Sequence, residues 1–83
     1  MKLWIGNIEP GTSDDEIKAL VGKYAQELTC DKIERVEGAG NRPAAMLQFG
    51  EASRASLDNL SRRLNGMYWK GRALVSTVYM FDK

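Results

Sequence analysis

The stretch LWIGNI at residues 3–8 is the part of this 83-residue chain that says most about its fold. Leu3 and Ile5 alternate with polar, aromatic or small neighbours, and a two-residue period of this kind predicts a β-strand over Lys2–Gly6. Because Leu3 and Ile5 take the core side of that strand, Trp4 is expected on its opposite side, facing away from the core.

Two amphipathic helices are predicted further along the chain. Ser13 followed by Glu16 has the spacing of a capping box, which marks the start of the first helix. The apolar stripe of this helix consists of Ile17, Leu20, Val21, Tyr24 and Leu28. The second helix is predicted over residues 51–64, and Asn65 and Gly66 end it because both tolerate left-handed backbone angles. Its buried stripe consists of Leu57, Leu60 and Leu64.

Three more strands are predicted from their apolar positions. A strand lies within residues 31–37, but Ile33 and Val36 are three residues apart, which predicts a bulge or an early strand end and leaves the register open. A third strand covers residues 44–49, and the last covers residues 74–79. Their core sides are expected to carry Ala45, Leu47 and Phe49, and Leu74, Ser76 and Val78.

The predicted order of elements is βαββαβ, which is an α+β ferredoxin-like sandwich in one domain over residues 1–83. A four-stranded antiparallel sheet would carry both helices on one face. The other face of the sheet would then be open to solvent. A second apolar cluster, Met67-Tyr68-Trp69, precedes the last strand, and Trp69 is expected to pack against the second helix.

Three local sequences resemble those of the RNA recognition motif (RRM) family. The stretch at residues 3–8 resembles the RNP2 hexamer in every position type, and RPAAMLQF at residues 42–49 stands where the RNP1 octamer is found. LNG at residues 64–66 and GRAL at residues 71–74 resemble the family signature before the last strand. The short chain resembles the small solitary RRM proteins of bacteria more than multidomain splicing factors.

RNP1 is degenerate in this chain. Pro43 replaces the usual glycine, and Ala44 and Met46 replace the two aromatic residues that stack on bases in typical members of the family. Since stacking contributes roughly 1–3 kcal/mol per base, the resemblance implies RNA binding of modest affinity. Asn7, at the end of the RNP2-like stretch, is expected to cap the following loop.

The resemblance implies a binding site on the open face of the sheet. Trp4 and Tyr79 are the expected stacking platforms, Met46 an adaptable apolar contact, and Gln48 and Thr77 hydrogen-bonding groups for base edges. Basic side chains at the rim are expected to contact phosphate. The full set of predicted RNA-binding residues is Lys2, Trp4, Arg42, Ala44, Met46, Gln48, Lys70, Arg72, Thr77 and Tyr79.

The amino-acid composition narrows the set of possible functions further. Twelve basic residues nearly balance 11 acidic ones, so a net charge of +1 supports single-stranded RNA binding only of modest strength. It also favours the alternative of an RRM-fold protein-interaction module or homodimer with little RNA affinity. With no histidine and Cys30 as the one cysteine, no Cys/His metal site or catalytic pair can form, and neither an enzyme, a cofactor nor a small-molecule substrate is expected. No membrane span is expected, and the cytoplasm is the predicted location.

Overall fold

The computed structural model describes residues 1–26, 28–36, 43–50 and 52–79. In chain order the elements are β1 (Lys2–Gly6), α1 (Asp14–Tyr24), β2 (Lys32–Val36), β3 (Ala44–Gln48), α2 (Arg54–Leu64), β4 (Tyr68–Trp69), β5 (Arg72–Ala73) and β6 (Val75–Tyr79). The sheet has the strand order β2-β3-β1-β6 with every neighbouring pair antiparallel, and β4 and β5 form a separate hairpin. The predicted ferredoxin-like fold is confirmed.

One face of the sheet forms the core together with the two helices. Leu3 and Ile5 of β1 and Leu47 of β3 are fully buried there, as the alternation in the sequence predicts. The buried residues of the helices are Ile17, Leu20 and Val21 in α1, and Leu57, Leu60 and Leu64 in α2. None of the helices that the structure describes is both long and apolar enough to cross a lipid bilayer.

The two helices begin in different ways. At α1 the predicted capping box is present: the Glu16 amide donates to Ser13 Oγ at 3.2 Å, and the Ser13 amide donates to Glu16 Oε1 at 2.9 Å. The helix α2 starts at Arg54, later than the predicted start at residue 51, because Ser53 acts as its N-cap and accepts from the Ser56 amide at 3.1 Å. Residue 51 itself lies outside the described residues.

The end of α2 depends on one glycine. Gly66 has a φ of 84°, whereas Asn65 stays extended with a φ of −69°. Only the second residue of the predicted pair therefore adopts the left-handed backbone. The Asn65 side chain acts across the fold instead, since its Oδ1 accepts a hydrogen bond from the Ser76 amide of β6 at 3.0 Å.

The strand β2 is regular, so the predicted bulge or early end is wrong. Its pairing with β3 runs without interruption from Lys32 opposite Gln48 to Val36 opposite Ala44. The apolar pattern misleads because Arg35 takes a position on the helix side of the strand, where an apolar residue would be expected. Its Nη1 donates to the Thr12 carbonyl at 2.8 Å and to Asp14 Oδ1 at 3.1 Å.

The hairpin β4–β5 was not anticipated as a pair of strands. Lys70 and Gly71 both have positive φ, 56° and 82°, which is the geometry of a type I′ turn between two strands. Trp69 shares a cleft with residues of α1, among them Leu20 and Tyr24. Trp69 also packs against the buried core, to which α2 contributes Leu57, Leu60 and Leu64, so its packing on the second helix stays a prediction beside the observed cleft with the first.

Candidate nucleic-acid interface

The register of the strands arranges the open face of the sheet in three rows that cross all four strands. The polar row is Lys32, Gln48, Lys2 and Tyr79. The central row is Glu34, Met46, Trp4 and Thr77. The apolar row is Val36, Ala44, Gly6 and Val75. Ala44 is placed opposite Gly6 by continuing the register of β3 and β1 one residue past the pair Ala45 and Ile5. Six of the ten predicted RNA-binding residues fall within the polar and central rows.

Trp4 lies at the middle of this face with its ring over Gly6. A Cβ atom built on Gly6 would come within 2.3 Å of Trp4 Cη2, 2.7 Å of Cζ3 and 3.0 Å of Cζ2. Three neighbouring ring carbons at such similar distances from one point are the pattern of a ring face. The half-buried indole therefore covers the strand with one face and turns its other face outward.

The remaining predicted contacts on the sheet differ in how accessible they are. Gln48 and Thr77 are exposed, and Tyr79 is 46% exposed at the end of β6. Met46 is half-buried beside Trp4. Ala44 lies on the open face by its register but is only 4% exposed, so its methyl group closes the floor of the face and offers little contact area.

Charge on the described part of the face is sparse. Lys2 and Lys32 stand in the polar row, and Glu34 stands in the central row. Lys32 Nζ lies 3.7 Å from Glu34 Oε2, and both side chains are more than half exposed. A solvated pair of this kind holds the lysine weakly, so both lysines remain available to a phosphate group.

The predicted basic rim is only partly assembled. Lys70 is directed to α1, where its Nζ lies 2.6 Å from Glu16 Oε2 and 5.5 Å from the centre of the Trp69 ring. The same contact holds the pKa of the Glu16 carboxyl below its usual value, because Lys70 and then the Ser13 amide donate hydrogen bonds to it. Lys70 therefore joins the hairpin to α1 and is not directed to the rim of the sheet. Arg42 lies outside the described residues.

Arg72 and Asn7 connect β5 to the end of β1. Asn7 has a φ of 60°, and its Nδ2 donates to the Ala73 carbonyl at 2.9 Å. Arg72 Nη1 donates to Asn7 Oδ1 at 3.4 Å. The Asn7 side chain therefore connects the end of β1 to β5, where it was expected to cap the loop that follows, and the Arg72 guanidinium lies at this junction beside the apolar row.

Sequence reasoning missed the part that Gly6 plays. That Gly6 lies on the same face as Trp4 could be predicted, because it follows Trp4 by two residues and side chains alternate along a strand. What the sequence did not show is that the indole would lean toward it. Val36 and Val75, 43% and 45% exposed at the two ends of the apolar row, were also not singled out as part of the face.

No protein-family model and no curated protein matches the chain. Among solved structures, the RRM3 domain of Pes4 is similar over 99% of this chain and 94% of that one, with a TM-score of 0.77 and 16% sequence identity. The likeness extends over the whole order of strands and helices described above. The chain therefore has the fold of an RNA recognition motif, which confirms at the level of structure the resemblance seen at residues 3–8.

Proposed function

We propose that the chain binds single-stranded RNA on the open face of its sheet, with modest affinity and without catalysis. The observation that carries the proposal is the Trp4 indole, which rests on Gly6 and turns one π-face outward at the centre of the sheet. A base can stack on that face whatever its identity, because every base has a π-face of its own.

The neighbours of Trp4 suit the edges of a stacked base. Met46 and Thr77 flank the indole in the central row, on β3 and β6. Thr77 can donate or accept a hydrogen bond, and Met46 can adapt its shape to a purine or a pyrimidine. Gln48, exposed in the polar row, supplies a second group that both donates and accepts.

The spacing of the two aromatic side chains favours single strands. Tyr79 lies opposite Lys2, so it stands one row from Trp4, which corresponds to about 6.7 Å along the strand direction. Stacked bases in a duplex strand rise only about 3.4 Å per nucleotide. Two consecutive nucleotides on Trp4 and Tyr79 must therefore be unstacked from each other, as they can be in a single strand.

The charges set the expected strength and salt dependence. Two lysines stand on the described part of the face, and Glu34 opposes them. Neutralising about two phosphates of a single strand gives a slope of about −1.4 for the logarithm of the association constant against the logarithm of salt concentration. Affinity should fall gently with salt, and most of the binding free energy should come from stacking.

The two tryptophans provide the test and its internal control. In a ¹⁵N-labelled sample, the indole N–H signals of Trp4 and Trp69 are followed while a pool of short single-stranded RNAs is added. The Trp4 indole and the amides of Gln48 and Tyr79 should shift, whereas the Trp69 indole on the helix side should stay in place. Trp4→Ala should weaken binding roughly 5- to 150-fold, the equivalent of one stacked base. If the Trp4 signal does not move across the whole pool, the proposal is wrong.

A second candidate function is protein binding by the same face. It is favoured by the apolar row, in which Val36 and Val75 are each exposed by more than two fifths and no polar side chain intervenes. An aliphatic surface of this kind suits a protein side chain better than a phosphate. Concentration-dependent shifts at Val36 and Val75 in the absence of RNA would support this alternative.

A further inference from the structure

The edge strand β2 brings an acidic side chain onto the open face of the sheet. Glu34 lies opposite Met46 and extends the central row to this edge, with Lys32 and Val36 on the same face. The Glu34 side chain is 54% exposed. Lys32 Nζ lies 3.7 Å from Glu34 Oε2, which is too far for a hydrogen bond, so both carboxylate oxygens can accept hydrogen bonds from a ligand.

The floor between Trp4 and Glu34 is low and apolar. Met46 stands between them in the central row and is half-buried, and Ala44 beside it on β3 is only 4% exposed. Trp4 and Glu34 are two strands apart, which corresponds to about 10 Å between their backbones. A base that lies flat on the indole can therefore extend over Met46 and bring its edge within hydrogen-bonding distance of the Glu34 carboxylate.

The position of Tyr79 decides which edge of that base is turned toward β2. If Tyr79 takes the neighbouring base, the sugars that join the two bases lie on the β6 side of Trp4. The Watson–Crick edge of a base lies away from its sugar, so it points across β3 to β2. Among the β2 side chains on this face, Glu34 is the one that accepts hydrogen bonds, because Lys32 only donates and Val36 is aliphatic.

A carboxylate at this place distinguishes guanine from the other bases. Guanine presents two donors side by side, its N1–H and its N2 amino group, and these match the two acceptor oxygens of a carboxylate. Adenine and cytosine present one donor beside an acceptor nitrogen, and uracil presents one donor between two acceptors. An acceptor on the base that faces a carboxylate oxygen is left without a proton, whereas the paired bonds to guanine are charge-assisted and therefore strong.

We propose that Glu34 selects guanine for the position stacked on Trp4, with its carboxylate accepting hydrogen bonds from N1–H and from the N2 amino group. The inference rests on the proposed binding of RNA by the open face and adds to it the identity of one nucleotide. The same negative charge repels phosphate, so it weakens the binding of RNAs that lack guanine. Attraction of the right base and repulsion of the wrong ones thus act together.

Base preference is measured by fluorescence anisotropy with short RNAs that consist of uridine except for one central nucleotide, which is G, A, C or U. The natural chain should bind the RNA with guanine roughly tenfold more tightly than the others. Glu34→Gln should bind all of them alike within about threefold, because a carboxamide has both a donor and an acceptor and can pair with any of these edges. The matched control is Asp15→Asn, which removes the same charge from an exposed site on α1 and should keep the preference.

Inosine in place of guanine isolates one of the two hydrogen bonds, because inosine keeps N1–H and lacks the N2 amino group. This replacement should weaken binding to the natural chain roughly fivefold and should have little effect on binding to the Glu34→Gln variant. A general electrostatic effect of Glu34 would not produce this difference, since guanosine and inosine carry the same charge.

The indole signal of Trp4 separates failure of this inference from failure of the proposed function. If the signal shifts but the natural chain binds all the RNAs equally, the inference is overturned and RNA binding by the open face stands. A preference for guanine that survives Glu34→Gln also overturns it, because Glu34 would then serve only to protect the edge of the sheet. If no RNA shifts the Trp4 indole, the proposed function fails and the inference fails with it.

Discussion

The two tryptophans of this chain, Trp4 and Trp69, lie on opposite layers of the fold and have different surroundings. Trp69 packs against the core, with Lys70 Nζ 5.5 Å from its ring centre and α1 forming the other side of its cleft. Trp4 rests on Gly6, and within the described residues no cationic group lies over its ring. The ring face of Trp69 contacts groups within the fold, and the outer face of Trp4 is the surface proposed to stack on a base.

The difference shows that residue type alone does not separate an aromatic side chain that packs within the fold from one proposed to bind a base. The residue before each tryptophan differs in burial: Leu3, before Trp4, is fully buried, whereas Tyr68, before Trp69, is exposed. What separates them is the partner at the ring: a glycine in one case, and a lysine held by Glu16 in the other. Changes at these partners should therefore separate stability from binding.

The largest effect is expected for Trp69→Ala. Removing a large side chain that packs on the core should lower the free energy of unfolding by about 2–3 kcal/mol, less than a fully buried tryptophan would cost because the ring is only half-buried. Urea denaturation followed by circular dichroism measures this loss. RNA affinity of the folded fraction should stay within about twofold of the natural chain, and a loss as large as that of Trp4→Ala would contradict the separation of the two sites.

A smaller effect is expected for Gly6→Ala. The added methyl group would meet the Trp4 ring at 2.3 Å, so the indole must move off the strand and lose its flat orientation. RNA affinity should fall roughly fivefold, about half the contribution of one stacked base, in a fluorescence-anisotropy titration. Gly6 does not have a positive φ, so the backbone accepts alanine and the free energy of unfolding should change by less than about 1 kcal/mol.

The matched control is Gly22→Ala on α1. A Cβ at Gly22 has no atom within 4 Å, and alanine is the better helix former by about 1 kcal/mol. This variant should be more stable and bind RNA as the natural chain does. Equal affinity of the Gly6→Ala variant and this control would show that the orientation of the Trp4 ring does not matter.

The smallest effect is expected from the Glu16–Lys70 contact beside Trp69. Because the folded pKa of Glu16 is below its ordinary value, the stability it contributes is complete above about pH 4.3 and is lost as the pH falls through the lowered folded value. Thermal unfolding between neutral and strongly acidic pH measures the trend. Glu16→Gln keeps an oxygen for the Ser13 amide but cannot be protonated in this range, so its melting temperature should depend less on pH there.

Most of the fold could be predicted because β1, β3 and the helices bury residues at regular spacing. The strand β2 could not be placed in register, since Arg35 stands on its helix side and its Nη1 donates to Thr12 and Asp14, more than 20 residues earlier in the chain. The hairpin β4–β5 was missed because Lys70 adopts a left-handed backbone that is more typical of asparagine or glycine.

The candidate site was predictable in outline and not in detail. Alternation along the strands placed Trp4, Met46 and Thr77 on one face, and the structure brings them into one row. Lys70 was assigned to the same site because it is basic and precedes the last strand. Its pairing with Glu16, 54 positions earlier, is a long-range contact that no local pattern indicates.

The position of β1 in the sheet has a consequence for how the chain folds during synthesis. The first strand to be made is a central strand, and its partners are residues 44–48 and 75–79. At roughly 5–20 residues per second, several seconds separate the appearance of Trp4 from that of its last partner. Until residues 44–48 are made, the apolar segment at residues 3–8 has no strand to pair with, and the four-stranded sheet can be completed only when residues 75–79 have left the ribosome.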